Sequence, residues 1–142
     1  MLRPLIFAAA IIAPTLASTL VMAGNPDRDA IVAGYAKQAR AADPAFTAFS
    51  AARGEQLFRT KWSGGDERTP SCTACHTENP KNPGQNAKTG RPIDPVAVSV
   101  NSSRFTDAGD VEKQFTRDCK SVLGRPCTPL EKGDYITFMM GQ

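Results

Sequence analysis

Five consecutive residues, Cys72-Thr73-Ala74-Cys75-His76, constrain the fold of this chain more than any other feature. Two residues separate the cysteines, so both thiols can reach one edge of a flat macrocycle, and the histidine that follows can turn under its centre. C-x-x-C-H is the attachment pattern of c-type haem, whose iron takes a proximal histidine. The motif therefore predicts one covalent haem c, bound through Cys72 and Cys75, with His76 as an iron ligand.

Two other kinds of site use cysteines at this spacing. A thioredoxin-type redox pair requires a βαβ context, which the sequence does not indicate. A zinc site requires a second pair of ligands, which Cys119 and Cys127 could nominally supply. The histidine directly after the second cysteine, together with an export signal at the N-terminus, favours haem over both alternatives.

The N-terminal segment has the pattern of an export signal. Arg3 provides a short positive region, residues 5–21 are largely apolar, and Val21-Met22-Ala23 fits a small-residue cleavage site. The pattern predicts a signal peptide over residues 1–23 and a single monohaem domain over residues 24–142 in the periplasm. A retained membrane anchor is the alternative, but the apolar run is short and ends in the cleavage pattern. We therefore expect no permanent membrane anchor.

Charge gives limited information about partners. The chain has 17 basic and 14 acidic side chains and a formal net charge of +3. There is no basic stripe interleaved with aromatic residues, so nucleic acid is not an expected partner. The region 61–91 is mildly basic and could steer an acidic redox partner, although a solvated loop is the simpler interpretation. Its basic residues are Lys61, Arg68, Lys81, Lys88 and Arg91.

Apolar residues at helical spacing predict four helices. They cover residues 27–42, residues 49–60, a segment from a Thr106 cap to about Cys119, and a segment after Thr128. The last has a well-formed start, since Thr128-Pro129-Leu130-Glu131 combines a cap, a proline in the first turn and a capping box.

Residues 63–105 are rich in glycine, proline, asparagine and serine, and no strand is predicted. So long a loop is unusual in a compact domain unless something orders it, as a covalent haem would. The Gly54 pattern in the second helix is similar to the first helix of class I cytochromes c, where glycine lets another helix cross closely. The expected fold is all-α and class I cytochrome c-like, with about four helices and long loops around one haem. Candidate packing partners of the haem or its helices are Phe105, Phe115, Tyr135, Ile136 and Phe138.

Cys119 and Cys127 form the second cysteine pair and flank a seven-residue segment. In an oxidising compartment we expect them to form a disulfide. The bond would hold the end of the third helix against the start of the fourth, and it would fix the position of Asp118.

A family resemblance extends over nearly all of the chain after residue 23. Its most specific element is the pair of cysteines around Gly124-Arg125, and the rest comprises Ile31-x-x-Gly34-Tyr35, Arg53-Gly54-x-x-Leu57-Phe58, Thr69-Pro70-Ser71-Cys72, Arg104-Phe105-Thr106-Asp107, Val111-Glu112-Lys113, Arg117-x-Cys119-x-Ser121-Val122, Thr128-Pro129, Glu131-Lys132 and Gln142. The chain resembles the sphaeroides haem protein family of small exported cytochromes c that bind oxygen. The related cytochrome c″ shares the cysteine spacing.

The resemblance implies that the residue before the first disulfide cysteine binds the iron on its distal side. That residue is asparagine in the oxygen-binding type and histidine in cytochrome c″, whereas this chain has Asp118. A carboxylate is a hard oxygen donor that suits ferric iron better than ferrous iron. We therefore expect Asp118 to be a ferric ligand that leaves on reduction, with an unligated distal-pocket residue or a plain surface acid as the alternatives. The resemblance also implies electron transfer from a dihaem cytochrome c.

His76 is the only histidine, so the sixth iron ligand is another residue or is missing. Met139, Met140, Lys120 and Asn101 are the other candidates by residue type. The expected function is a redox protein that binds O2, NO or CO at ferrous haem. A simple electron shuttle with a permanent methionine ligand is the alternative. A haem peroxidase or reductase is a weaker third possibility, since no distal catalytic pair is evident.

Overall fold

A computed structural model describes residues 24–142 of the chain. The signal peptide expected over residues 1–23 lies outside the described residues, and the domain boundary after Ala23 stays a prediction. Helices dominate the described part, as the sequence predicts. It also contains two strands of two residues each. The elements are α1 (Pro26–Ala42), α2 (Ala51–Arg59), α3 (Thr73–His76), β1 (Gly84–Gln85), β2 (Pro92–Ile93), α4 (Ala108–Leu123) and α5 (Pro129–Met140).

Side-chain caps begin the long helices. Thr128 accepts a hydrogen bond from the Glu131 amide, and the Glu131 carboxylate accepts one from the Thr128 amide, which confirms the predicted capping box. The predicted Thr106 cap of α4 is wrong, because Asp107 accepts the hydrogen bond from the Asp110 amide at 2.7 Å. The Thr106 hydroxyl instead donates to the Ser103 carbonyl oxygen.

The predicted end of α4 near Cys119 is also wrong, since the helix continues to Leu123. It ends at Gly124, whose φ of 74° lies in the left-handed region that glycine adopts without steric cost. The sequence prediction placed the end of the helix at Cys119, whereas Gly124 is the residue that ends it.

The crossing of α2 and α5 forms the centre of the fold. Gly54 provides the predicted close approach, because a Cβ atom there would overlap the carbonyl group of Asp134. Arg53 donates two hydrogen bonds to the buried Asp134 carboxylate, at 2.7 and 2.9 Å, and so links the two helices on one side. The largest fully buried side chains are Phe58, Ile136 and Met139.

The long segment between α2 and α4 is ordered by contacts with the helices. The α3 turn and a small hairpin interrupt it, with Gly84 opposite Ile93 in antiparallel register. The hairpin was not predicted, because strands of two residues leave no periodic pattern. The Asp66 amide donates to the Ser121 carbonyl oxygen, and the Val98 amide donates to that of Met139. The loop is therefore fixed against α4 and α5.

A buried arginine forms hydrogen bonds with the last part of this segment. Arg28 of α1 is 5% exposed and donates to the carbonyl oxygens of Ser102, at 2.6 Å, and Arg104, at 2.9 Å. The next residue, Phe105, has a φ of 61°, which is uncommon for a residue with a side chain. Arg28 therefore supports an unfavourable backbone conformation next to the site described below.

Within residues 24–142 there is no helix with the length and apolarity that crossing a bilayer requires.

Glu112 joins α1, α4 and α5, and we expect it to make stability depend on pH. It accepts hydrogen bonds from the Tyr35 hydroxyl and from Lys132 Nζ, the latter at 2.8 and 3.0 Å. Partial burial would raise the pKa of Glu112, but the hydrogen bonds from Lys132 and Tyr35 outweigh it and lower the pKa below 4.5. A carboxyl with a depressed folded-state pKa stabilises the fold above the unfolded-state value, and this contribution is lost as the pH falls through the folded-state value.

Glu112→Gln should therefore reduce the free energy of unfolding by about 1 kcal/mol at pH 7, with little effect near pH 3. Urea unfolding at both pH values measures the difference. Glu67→Gln is the matched control, because Glu67 is exposed, has no side-chain hydrogen bond in the described part of the chain and loses the same charge. An equal loss for Glu112→Gln at both pH values would contradict the assignment.

Candidate functional site

A cavity of about 770 Å³ lies where α3, α4 and α5 meet the hairpin segment. This volume is within the range of about 300–1,000 Å³ that is typical of ligand and cofactor sites. Much of its wall is apolar, from Leu57, Ile93, Phe105, Val111, Phe115, Val122 and Leu123. Of the five predicted packing residues, Phe105, Phe115 and Tyr135 line it, whereas Ile136 and Phe138 pack in the core behind it.

The C-x-x-C-H motif forms one part of the lining. The His76 amide donates to the Cys72 carbonyl oxygen at 3.0 Å and closes a single helical turn. Both thiols are free and partly buried, and they line the cavity together with the His76 imidazole. Gly84 permits this arrangement, because a Cβ atom there would overlap the Cys75 carbonyl group.

Burial sets the protonation of these groups. It raises the pKa of the Cys72 thiol to about 12, with the charges of Asp118 and Cys75 acting in the same direction. It lowers the pKa of His76 to about 4, against the opposing effect of the Asp118 charge. His76 is therefore a neutral imidazole at pH 7, which is the form that binds a metal.

Asp118 lies on α4 and lines the same cavity, so the structure brings together all four predicted haem-site residues. Its side chain is 46% exposed, and Arg117 donates to both carboxylate oxygens, at 2.7 Å from Nε and 3.1 Å from Nη2. Neighbouring residues on a helix do not normally face each other, so the arginine must fold back over the cavity to make this contact. The carboxylate is thereby held as a paired anion.

Cys119, the next residue, is bonded to Cys127, as the sequence predicts, and both half-cystines line the cavity. The bond holds the C-terminal part of α4 to the segment before α5. It also leaves these cysteines unable to complete a zinc site with Cys72 and Cys75. Within residues 24–142 no three His, Cys, Asp or Glu side chains converge as a metal-binding group.

The other candidate iron ligands differ in position. Met139 is fully buried in the core, Met140 is exposed, and neither lines the cavity. Asn101 donates its side-chain amide to the Pro95 carbonyl oxygen and is also outside the lining. Lys120 does line the cavity. The geometry thus leaves Asp118 and Lys120 as the candidates that can reach the cavity.

Charged side chains surround the cavity, and the sequence indicated part of this. Lys88 and Arg91 of the predicted basic region line it, whereas Lys61, Lys81 and Arg68 do not. Lys88 forms an ion pair with Asp66 at 3.0 Å, which links the hairpin loop to the segment before the motif. That pairing was not predicted, because nothing in the sequence shows that the two loops meet.

Two further residues were not singled out as site residues. Arg117 counted only as part of the family pattern, although an arginine beside a candidate ligand is itself a signal. Tyr135 was expected only to pack. It is 8% exposed and lines the cavity, and its hydroxyl makes no hydrogen bond with any residue from 24 to 142. An apolar cavity lined by two thiols, a neutral imidazole and a phenol fits a haem.

Comparisons with known proteins agree with this geometry. Residues 44–139 match the family described as domain of unknown function DUF1924. The chain is 41% identical to the cytochrome c-type protein SHP of Cereibacter sphaeroides over 142 residues, all of both chains. It is 36% identical to cytochrome c″ of Methylophilus methylotrophus over 125 residues, 88% of this chain and 87% of that protein. The structure of oxidised SHP, described as an oxygen-binding cytochrome c, aligns at 40% identity with a TM-score of 0.73, covering 81% of this chain and 96% of that one.

Proposed function

Because the chain belongs to the DUF1924 family and is a c-type cytochrome of the kind represented by SHP and cytochrome c″, we propose that it binds a diatomic gas at a single haem after reduction. The observation that carries this proposal is the position of Asp118 in the same cavity as His76. When bound, the haem supplies an iron that accepts one electron and, in its ferrous form, takes up O2, NO or CO.

Cys72 and Cys75 would hold the haem by thioether bonds, and His76 would bind its iron. The free thiols and the neutral imidazole support these roles. The surrounding apolar side chains would exclude water and favour the uncharged parts of the macrocycle.

Asp118 would be the residue that controls access to the iron. Its carboxylate is a hard anionic donor, which would bind ferric iron better than ferrous iron. Arg117 favours release of the Asp118 carboxylate from the iron. Its guanidinium already pairs with both carboxylate oxygens and would stabilise the free anion. The disulfide at Cys119 keeps the backbone of this segment in place while the side chain moves.

We expect the redox partner to present acidic groups to this site. Lys88, Arg91 and Lys120 are basic residues at the cavity, although Lys88 is paired with Asp66, and complementary charge steers association between proteins. The family resemblance favours a dihaem cytochrome c as the electron donor. Export to the periplasm without a permanent membrane anchor, as the N-terminal pattern predicts, agrees with a c-type cytochrome.

Absorption spectra of the oxidised and reduced holoprotein, with and without CO, test the proposal. We expect a high-spin ferrous spectrum that shifts on addition of CO. Asp118→Ala should change the ferric spectrum and leave CO binding intact, whereas Lys120→Ala should leave both unchanged. A low-spin ferrous spectrum that is indifferent to CO would contradict gas binding. A changed ferric spectrum in Lys120→Ala alone would assign the distal position to the lysine.

A further inference from the structure

The two tyrosines of the chain have contrasting hydroxyl environments. Tyr35 donates its hydroxyl to the Glu112 carboxylate, away from the haem cavity. The Tyr135 hydroxyl has no hydrogen-bond partner between residues 24 and 142, although only 8% of the residue is exposed. No enclosed side-chain polar atom in this part of the chain lacks a hydrogen-bond partner, so the Tyr135 hydroxyl is open to the cavity rather than sealed in protein.

Packing fixes the Tyr135 ring. Three aromatic rings surround it, two of them edge-on, so the side chain has little freedom to turn toward another acceptor. The distances between ring centroids are 5.6 Å to Phe115, 6.1 Å to Phe105 and 6.2 Å to Phe58. Since Tyr135 lines the cavity, its hydroxyl can donate to a molecule that the cavity holds.

One packing contact places the Tyr135 ring beside the part of α4 that carries Asp118. Tyr135 packs directly on Phe115, which lies three residues before Asp118 on the same face of α4. Burial raises the pKa of Tyr135 well above its usual value, and the charges of Cys72 and Asp118 raise it further. The phenol therefore remains a protonated donor at neutral pH.

We propose that the Tyr135 hydroxyl donates a hydrogen bond to the diatomic ligand that enters the cavity on the Asp118 side, and so slows its escape. The inference rests on the proposed function. A phenol hydroxyl forms a stronger hydrogen bond with a ligand atom that is a good acceptor. It therefore slows the dissociation of O2 more than that of CO, whose oxygen is a poor acceptor. Tyr135 is then a specificity-determining residue for the gas site.

Tyr135→Phe in the holoprotein tests this, because it removes the hydroxyl and keeps the ring. Stopped-flow dissociation of O2 and of CO from the reduced protein should show O2 leaving about tenfold faster, with CO nearly unchanged. Tyr35→Phe is the matched control. It should leave both gas dissociation rates unchanged but lower the urea midpoint, since it removes a hydrogen bond to a carboxylate. Tyr135→Phe should not lower that midpoint.

Equal O2 dissociation in Tyr135→Phe and the unsubstituted protein would overturn the inference. So would a similar acceleration in Tyr35→Phe, which would indicate general loosening. A changed, pH-dependent reduction potential in Tyr135→Phe with unchanged O2 dissociation would also overturn it, and would assign the hydroxyl to a haem propionate. If the unsubstituted reduced protein binds neither gas, the proposed function itself fails, and this inference fails with it.

Discussion

Replacing Cys72 and Cys75 together with alanine should abolish covalent haem attachment. The two thiols line the cavity beside His76 and are free, so they are the groups available for thioether bonds. Haem held by imidazole alone leaves the chain on denaturation. Haem-linked peroxidase staining after denaturing electrophoresis should therefore show no signal from this variant, compared with a strong signal from the unsubstituted protein.

The second cysteine pair provides the reciprocal control. Cys119→Ala with Cys127→Ala should retain the covalent haem signal, since these sulfurs are bonded to each other. This variant should instead lose about 2–3 kcal/mol of unfolding free energy, as expected for opening a loop of this length. A persistent haem band in the first variant, or its loss in the second, would show that the two pairs have been assigned the wrong roles.

Replacing Gly54 with alanine should be among the most destabilising single changes in the chain. A Cβ atom at this position would overlap the Asp134 carbonyl group, and the carbonyl carbon would lie only 2.6 Å away. The obstacle is backbone, so the two helices must separate, and the loss should be about 3 kcal/mol. Urea unfolding of the holoprotein, followed by far-UV circular dichroism, measures this loss.

Gly34→Ala is the control for that experiment. Gly34 is an exposed residue inside α1, and a Cβ atom there would meet no atom within 4 Å. Alanine is the better helix former, so this change should stabilise the protein by about 0.5–1 kcal/mol. Similar unfolding midpoints for the two variants would mean that α2 and α5 do not approach as closely as the structure shows.

The features that the sequence predicts well are those encoded by neighbouring residues. The C-x-x-C-H turn and the Thr128 capping box each depend on a few adjacent side chains, and both form as expected. Gly54 was recognised because its pattern resembles the first helix of class I cytochromes c. Asp118 was singled out because the family resemblance puts the distal ligand at the residue before Cys119, but its contact with Arg117 depends on the folded structure.

The features that the sequence did not predict depend on distant contacts. The hairpin is too short to have a periodic pattern, and the Asp66–Lys88 ion pair joins loops that only the folded chain brings together. Tyr135 illustrates the limit most clearly. Its helical position predicted a packing role, which is confirmed, but whether a hydroxyl has a partner depends on every neighbour and cannot be read from spacing.

The hydrogen bonds that Arg28 donates to Ser102 and Arg104 bear on which residues the functional unit must include. The family match starts at residue 44, whereas Arg28 lies in α1 and holds the carbonyl groups next to Phe105 in the cavity wall. A fragment trimmed to the matched segment would keep the haem motif and lose the support for that wall. The smallest piece of this chain that keeps the support for the cavity wall therefore begins no later than Arg28, 16 residues before the family match at residue 44.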